Sequence, residues 1–255
     1  MSNRRLIVGN WKMHKTAAEA AALVRRLFAV APKHPRAEVV LAPPFTALHV
    51  ASQPAWRRFA LAAQNMHWED EGRFTGEVSA PMLKALGCRY VILGHSERRQ
   101  YFGETDADIN RKLLAALRHG LRPIFCVGES RRERSKGLTK TVVTRQLLRG
   151  LAGVPKDAAG SITIAYEPIW AIGKNRPASP AQATDAHATL RAALGKKWGR
   201  ATAERIRILY GGSVTADNAG GFLASPEVDG VLVGGACLDP QAFARIIAAA
   251  QSLEG

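Results

Sequence analysis

Cysteine and aromatic residues are scarce in this chain, and long apolar runs are missing. Cys88, Cys126 and Cys237 are the only cysteines in 255 residues, and their number and spacing suit neither a disulfide framework nor a zinc site. We expect buried thiols at Cys88 and Cys126, which lie in strand-like apolar runs. No window approaches the roughly 18 apolar residues of a spanning helix, and no apolar signal region follows the amino terminus. These absences predict a cytoplasmic protein with no membrane partner.

Several motifs that carry chemistry are missing as well. No GxGxxG follows the first predicted strand and no GxxxxGK[ST] occurs, which argues against a dinucleotide-binding fold and a P-loop. The sequence has no GxSxG nucleophile elbow and no HExxH, and its seven histidines are dispersed. We therefore expect no cofactor and no metal ion.

Basic residues outnumber acidic residues, 36 to 21, which gives a net charge of +15. Such a charge could serve nucleic acid, an anionic membrane surface or an acidic substrate. The basic residues, however, come as scattered pairs such as Arg25-Arg26 and Lys196-Lys197. No aromatic residues lie between them for stacking on bases. We expect solvated helix faces and no specific nucleic-acid partner.

Strand-sized apolar runs alternate with helix-sized segments from end to end of the chain. In the helical segments apolar residues recur at i, i+3 and i+4. Eight such units in about 250 residues match a (β/α)8 barrel of the α/β class. Nothing marks a domain boundary, so we predict a single domain over residues 1–255. The predicted strands are 6–9, 39–42, 60–64, 90–93, 123–127, 161–166, 206–210 and 230–233, and the predicted helices include 16–30, 106–119, 141–151, 180–197 and 242–250.

Unusual polar residues come directly after the predicted strands. Asn10 and Lys12 follow the first strand, His95 and Glu97 the fourth, and Glu167 the sixth. In a (β/α)8 barrel all of these positions converge on the face at the carboxyl ends of the strands, where active sites lie. The pattern therefore predicts one site built from several loops.

Glycine pairs follow the seventh and eighth strands. Gly211-Gly212 precedes Ser213, and Gly234-Gly235 ends the last apolar run. Backbone N–H groups at such loops approach an anion closely, and barrels commonly bind phosphate there. Either pair alone could be an ordinary turn; together they predict a phosphate site.

Glu167 has the position of a general base under a lid. It stands where an apolar run stops, and Pro168 ends the regular structure behind it. Trp170, Ile172 and Gly173 follow as an apolar tip with a flexible joint. The alternative is a solvated loop residue at a turn.

Together these groups suit proton abstraction next to a carbonyl. Such a C–H is too weak an acid for a carboxylate alone, so His95, Lys12 and Asn10 would stabilise the developing enolate oxygen. Each has an alternative: Lys12 could be a surface lysine, and His95 a core histidine bonded to the backbone. Ser96 and Glu97 could be only the cap of a helix, although a helix N-terminus beside His95 would also favour a neutral imidazole.

Short motifs in this chain resemble the triosephosphate isomerase family. They occur in the family's order over nearly the whole chain, and those around His95 and Glu167 are highly specific together. The resemblance implies a TIM barrel that interconverts dihydroxyacetone phosphate and D-glyceraldehyde 3-phosphate, in glycolysis and gluconeogenesis. The motifs are Asn10-Trp11-Lys12-Met13, Gly94-His95-Ser96-Glu97-Arg98-Arg99, Ala165-Tyr166-Glu167-Pro168, Trp170-Ala171-Ile172-Gly173, Tyr210-Gly211-Gly212-Ser213 and Val233-Gly234-Gly235-Ala236.

The resemblance also implies roles for the site residues. Glu167 would carry a proton between C1 and C2 of the substrate, and His95 would act as a neutral electrophile on its oxygens. Lys12 would supply positive charge, and Asn10 would position the substrate. Glu97 would orient Lys12 or assist proton movement. Phosphate would be held by Asn10 and Lys12 and by backbone N–H groups of Gly173, Ser213, Gly234 and Gly235 under a closing lid.

A homodimer is implied through the loop 65–77, which is long for a β–α connection. Thr75 would lie near the active site of the second subunit, with Phe74 and Met13 in the contact. The alternative is that the loop packs on its own barrel. Arg73 stands where the family usually has a small residue.

Two departures from the family pattern bear on the substrate. The lid reads Gly173-Lys174-Asn175-Arg176-Pro177-Ala178, whereas the family usually has Thr-Gly-Lys-Thr after that glycine, and Pro177 would stiffen the hinge. The lid end and the segment 64–68 also resemble a sister group that isomerises four-carbon erythrulose phosphates. Gly234-Gly235 favours the triose. A non-catalytic barrel that binds anions or nucleic acid is the remaining alternative.

Overall fold

The structure is a computed structural model that describes residues 5–53, 58–173 and 177–251. Eight parallel strands pair in chain order, and pairing of the first strand with the last closes the sheet into a barrel. The predicted (β/α)8 barrel is therefore confirmed. The strands are β1 (Leu6–Asn10), β2 (Glu38–Ala42), β3 (Ala60–Ala63), β4 (Tyr90–Leu93), β5 (Arg122–Val127), β6 (Thr163–Tyr166), β7 (Arg207–Tyr210) and β8 (Gly230–Val233).

Some strand ends differ from the prediction. Asn10 is the last residue of β1 and pairs with Ala42, so it lies in the barrel wall and not in the loop beyond it. The sixth strand starts later than predicted, because Ser161 belongs to the 3-10 helix Lys156–Ser161. Cys88 lies in the turn before β4, outside any strand. All three cysteines are free and buried.

The long helices follow the apolar periodicity, and their ends follow capping chemistry. The first begins one residue later than predicted, because Thr16 is its N-cap in a capping box with Glu19. Apart from the helix start considered at Ser96, the short helices were not predicted, since five to seven residues carry little periodic signal. No helix in the described ranges is long and apolar enough to cross a membrane. The helices are α1 (Ala17–Val30), α2 (Phe45–Ala51), α3 (Ala80–Ala85), α4 (Ser96–Tyr101), α5 (Asp106–Arg118), α6 (Arg131–Ser135), α7 (Thr139–Gly150), α8 (Pro180–Trp198), α9 (Arg200–Arg205), α10 (Ala219–Leu223) and α11 (Pro240–Ala249).

Successive residues of each strand face opposite sides of the sheet, one toward the barrel interior and the next toward the helices. In β1, Leu6 and Val8 belong to the interior cluster, whereas Ile7 belongs to the cluster between strands and helices. The amino end of the barrel is closed by three polar residues that we name the basal cluster: Arg207, Glu38 and Tyr90. Arg207 Nη1 lies 2.9 Å from Glu38 Oε2, and its Nη2 donates to the Tyr90 hydroxyl at 2.9 Å. The carboxyl end is the one left open.

Candidate active site

A cavity of about 260 Å3 opens at the carboxyl end of the barrel. This volume is below the roughly 300–1,000 Å3 of pockets for drug-sized ligands, so the cavity suits a small molecule. A larger groove of about 900 Å3 lies at the amino ends of β2 and β3. The groove and the cavity have no lining residue in common. The predicted site residues that line the smaller cavity are Asn10, Lys12, His95, Glu167, Gly173, Ser213, Gly234 and Gly235.

Glu167 is a buried carboxylate held at the end of β6. Its Oε2 accepts the backbone N–H of Ser96 at 2.9 Å, and its Oε1 lies 3.0 Å from His95 Nε2. The neighbouring strands hold its backbone, since its N–H donates to Val127 O at 2.8 Å. A Cβ at Gly128 would lie only 1.8 Å from Glu167 O, so that position has room only for glycine. The carboxylate is thus fixed by the sheet and both of its oxygens are engaged.

His95 combines the two roles that the sequence left open. It is the N-cap of α4, and its Nδ1 accepts the N–H of Glu97 at 3.2 Å. A ring nitrogen that accepts carries no proton, so we assign the proton of the neutral ring to Nε2, which faces Glu167 and the cavity. The ring is therefore both bonded to the backbone and presented to a ligand.

The pKa values of His95 and Glu167 depend on each other. Burial by itself lowers the pKa of His95, but the adjacent Glu167 carboxylate outweighs it and the net pKa is raised. Burial by itself raises the pKa of Glu167, but His95 and the Ser96 N–H outweigh it and the net pKa is lowered. The two groups titrate as a pair. Movement of Glu167 away from His95 would remove the larger cause of the raised pKa of His95, and burial would then favour the neutral ring.

Lys12 is held in a strained turn beside the cavity. Its φ of +53° is unusual for a residue with a side chain. Asn10 Oδ1 accepts its N–H at 3.0 Å, and Gln64 Nε2 donates to its carbonyl at 2.9 Å. Its ammonium lies 2.5 Å from Glu97 Oε1, and its side chain is 28% exposed. Lys12 is therefore a positioned charge and not a free surface lysine.

Glu97 does not line the cavity but lies behind its wall. Its carboxylate binds Lys12, and its second oxygen is 3.6 Å from His95 Nδ1. At 39% exposure it remains in contact with solvent. Its implied part in proton movement stays a prediction.

The glycine loops after β7 and β8 also line the cavity. A Cβ at Gly234 would lie 3.5 Å from Lys12 Cε, so the lysine stem runs across this loop. Gly235 opens the 3-10 helix Gly235–Leu238, whose first N–H groups have no acceptor within the helix. The Ser213 N–H, by contrast, donates to Ala171 O at 3.2 Å and would have to exchange this acceptor for a ligand.

The described part of the predicted lid is bonded to a buried carboxylate. Trp170 Nε1 donates to Glu129 Oε1 at 2.8 Å, and the Tyr166 hydroxyl lies 3.1 Å from both oxygens of Glu129. Gly173 has a φ of +64°, consistent with the predicted joint. Lys174, Asn175 and Arg176 lie outside the described residues, so the predictions about them are untested.

Comparison with known proteins agrees with this geometry. The family model described as "Triosephosphate isomerase" matches residues 5–250. A triosephosphate isomerase of Chloroflexus aurantiacus is 54% identical over 243 residues, 95% of this chain and 97% of that protein. One of Moorella thermoacetica is 52% identical over 248 residues, 96% of this chain and 98% of that protein. The chain belongs to the triosephosphate isomerase family. The resemblance inferred from the short motifs is confirmed.

Three contacts at the site of this triosephosphate isomerase family member were not predicted. They are the Ser96 N–H on Glu167, the amide of Gln64 on the Lys12 turn, and Glu129 on the Trp170 indole. Gln64 and Glu129 each carry a weak signal, because a polar residue follows an apolar run. A backbone N–H carries no signal at all. Among the described residues, no group of three or more His, Cys, Asp or Glu side chains is arranged to hold a metal ion.

Proposed function

We propose that this protein is a triosephosphate isomerase, which interconverts dihydroxyacetone phosphate and D-glyceraldehyde 3-phosphate through an enediolate. One observation carries the proposal: a buried carboxylate, Glu167, lies 3.0 Å from the ring Nε2 of His95 inside a small cavity that also holds Lys12. The two relatives described above bear that name, and their sequences are 54% and 52% identical to this chain over nearly its full length. Membership in glycolysis and gluconeogenesis follows from the reaction.

Substrate would enter between Glu167 and His95. The carboxylate would leave His95, take the proton from C1 and return it to C2, while the hydroxyl proton on O1 passes to O2. The oxygen on the neighbouring carbon gains negative charge in the same step, so it must be stabilised as the proton leaves. His95, Lys12 and Asn10 all line the cavity, and His95 Nε2–H, the Lys12 ammonium and the Asn10 amide would be the donors that stabilise this charge.

The phosphate would lie on the glycine loops. Lys12 extends over Gly234, and the first N–H groups of Gly235–Leu238 are unpaired within that helix. Gly173 and Ser213 would complete the cradle once Ser213 releases Ala171. Charge-assisted hydrogen bonds of this kind contribute about 1.5–3 kcal/mol each, enough together to support closure of the lid.

The decisive experiment assays the purified protein in parallel with D-glyceraldehyde 3-phosphate and L-erythrulose 1-phosphate, without added metal, with Glu167→Gln as the blank. Much faster turnover of the triose is the expected result. Preference for the four-carbon sugar would replace the proposed substrate with the alternative one. Activity on neither would contradict the isomerase and favour a non-catalytic barrel, for which salt-dependent retention on nucleic acid is the next assay.

We also infer a homodimer, because exposed apolar side chains occur on the segments that follow β1, β3 and β4. Met13 is 93% exposed and Phe74 42%. Tyr101 and Phe102 are exposed after β4. Neighbouring strands of a barrel place these loops on one flank, and an apolar flank of this kind indicates a partner. Thr75 at the loop tip is exposed as well.

Not all of the loop 65–77 takes part. Met66 is buried in its own barrel, and the Arg111 guanidinium covers the Trp68 ring at 3.9 Å. Phe74→Asp is expected to shift the sedimentation coefficient toward that of a monomer. The matched control is Leu148→Asp on α7, since Leu148 is equally exposed at 42%. Equal behaviour of the two variants would contradict a dimer through this loop.

We propose further that residues 1–255 form a single domain, in line with the match over residues 5–250. The cytoplasmic location stays a prediction.

A further inference from the structure

Arg99 lies behind the turn that carries His95, and its guanidinium binds three groups from three elements. Its Nε donates to Gly94 O at 2.8 Å, at the end of β4. Its Nη2 donates to Cys126 O at 3.2 Å in β5, and its Nη1 lies 2.6 Å from Asp106 Oδ1 at the start of α5. We name these four residues the Arg99 clamp.

The Arg99 clamp connects β4 and β5 beyond the point where the hydrogen bonds between the two strands end. The last pair between β4 and β5 is Leu93 with Phe125. Gly94 and Cys126 are the residues that follow this pair along the backbone. Arg99 therefore links the two backbone segments just beyond the last pair of β4 and β5. This is also where the backbone must turn sharply, because Gly94 has a φ of +71°.

The turn has little freedom around it. A Cβ at Gly94 would lie 2.8 Å from Ile109 Cδ1 and 3.1 Å from Arg99 Nη2. His95 and Ser96 come directly after this glycine. They supply the ring nitrogen and the backbone N–H that hold the two oxygens of Glu167.

We propose that Arg99 is a positioning residue of the isomerase reaction, which fixes His95 and the Ser96 N–H against Glu167 without touching substrate. This inference rests on the proposed function. Arg99 is absent from the lining of the active-site cavity. Its effect passes through Gly94, whose carbonyl it holds.

Arginine suits this position and lysine does not. The guanidinium is a planar fork that donates in several directions at once, whereas a lysine ammonium is a compact charge on a flexible stem. Arg99→Lys therefore keeps the charge beside Asp106 but cannot span both carbonyls. The substitution separates positioning from charge.

The chain contains a matched control at the other end of the barrel. Arg191 of α8 donates to Ala203 O at 2.8 Å and Ile206 O at 2.7 Å, and it pairs with Asp229 Oδ2 at 2.7 Å. Its side chain is 18% exposed, against 15% for Arg99. Arg191→Lys should cost similar stability with no reason to alter catalysis.

The experiment measures kcat, KM, the thermal midpoint and the affinity for inorganic phosphate in Arg99→Lys, Arg191→Lys and the wild type. Arg99→Lys is expected to lower kcat about tenfold, which corresponds to about 1.4 kcal/mol in the barrier. Its KM and its affinity for inorganic phosphate should stay within about twofold, because the phosphate loops are untouched. The acid limb of its kcat/KM profile should move to higher pH, since a displaced Ser96 N–H no longer lowers the pKa of Glu167.

Equal kcat in the two lysine variants at matched stability would overturn the proposal. If Arg99→Lys fails to fold, Asp106→Asn weakens the same clamp without removing the guanidinium. In that variant an unchanged kcat and pH profile would likewise overturn it. An inactive wild type would instead refute the proposed function, so the two failures are distinguishable.

Discussion

At the amino end of the barrel, Arg207 is bound to Glu38 and Tyr90; at the carboxyl end, Glu167 is bound to His95 and the Ser96 N–H. Both arrangements bury ionised groups, and both lower the pKa of a carboxyl that burial alone would raise. The difference lies in what surrounds them. Arg207 and Tyr90 lie inside the base of the barrel, and of the basal cluster only Glu38 reaches the groove at the amino ends of β2 and β3. Glu167 and His95, by contrast, both line the cavity at the carboxyl end.

This difference separates stability from activity. A buried charge that loses its partner lowers the free energy of unfolding by several kcal/mol. The contacts of Arg207 in the basal cluster therefore serve stability. Next to a cavity, a ligand can take the place of one partner. His95, Lys12 and Glu167 can therefore exchange protein contacts for substrate contacts. Substitutions at the two ends should accordingly change different measurements.

The largest effect is expected at the open end. Glu167→Gln removes the base but keeps an amide that can accept the Ser96 N–H. We expect kcat to fall by roughly 10²–10⁴-fold, the contribution typical of a general base, while the circular dichroism spectrum stays that of the folded protein. A folded variant with wild-type turnover would end the assignment of Glu167 as the base.

The opposite result is expected at the closed end. Arg207→Met leaves Glu38 without its main partner and should lower the free energy of unfolding by about 3–5 kcal/mol. Catalysis by the folded fraction should be unchanged. In the double variant Arg207→Met with Glu38→Gln much of the stability should return, because Glu38 then no longer carries a charge that only Arg89, at 3.1 Å, would balance. Urea unfolding tests this, and a kcat loss as large as that of Glu167→Gln would break the comparison.

A smaller loss of activity is expected from Lys12→Met, which removes a charge that faces the cavity. Losing one such stabilising group should lower kcat/KM by roughly 100-fold. The affinity for 2-phosphoglycolate should fall with it, since Lys12 also extends over the phosphate loop at Gly234. Lys196→Met, at an exposed lysine of α8, is the control. Unchanged inhibitor affinity in Lys12→Met would argue against its role.

The smallest effect concerns His187, a fully buried group outside both ends. Burial lowers the pKa of His187 from 6.5 to about 4, although its ring is bonded to Glu227 O. Between these pH values His187 is protonated in the unfolded chain but neutral in the native protein. The free energy of unfolding therefore falls as the pH falls from 6.5 toward 4. Between about pH 7 and pH 5 the loss should be about 2 kcal/mol.

His187→Gln should remove that part of the acid sensitivity. Urea titrations of wild type and variant at both pH values measure it. Parallel pH dependence in the two proteins would show that His187 is not the responsible group.

Most of the barrel could be predicted from the sequence. A strand buried on both faces appears as a continuous apolar run, and a helix appears as apolar residues at i, i+3 and i+4. The site residues were found because polar and glycine residues interrupt those runs at one end of each strand. Asn10 was placed one residue too far along, in the loop after the strand. The extent of a ladder depends on its neighbour: here Ala42 pairs with Asn10 and lengthens β1.

By itself, the sequence determined the order of strands and helices, the family, and the residue types available at the carboxyl end of the barrel. Only the tertiary structure decided which partner each group has. The Ser96 N–H, the Gln64 amide and the Arg99 guanidinium act on residues from other elements. Local pattern records which residues a strand or helix buries; a pKa or a hydrogen bond across the barrel depends on distances that arise when the sheet closes.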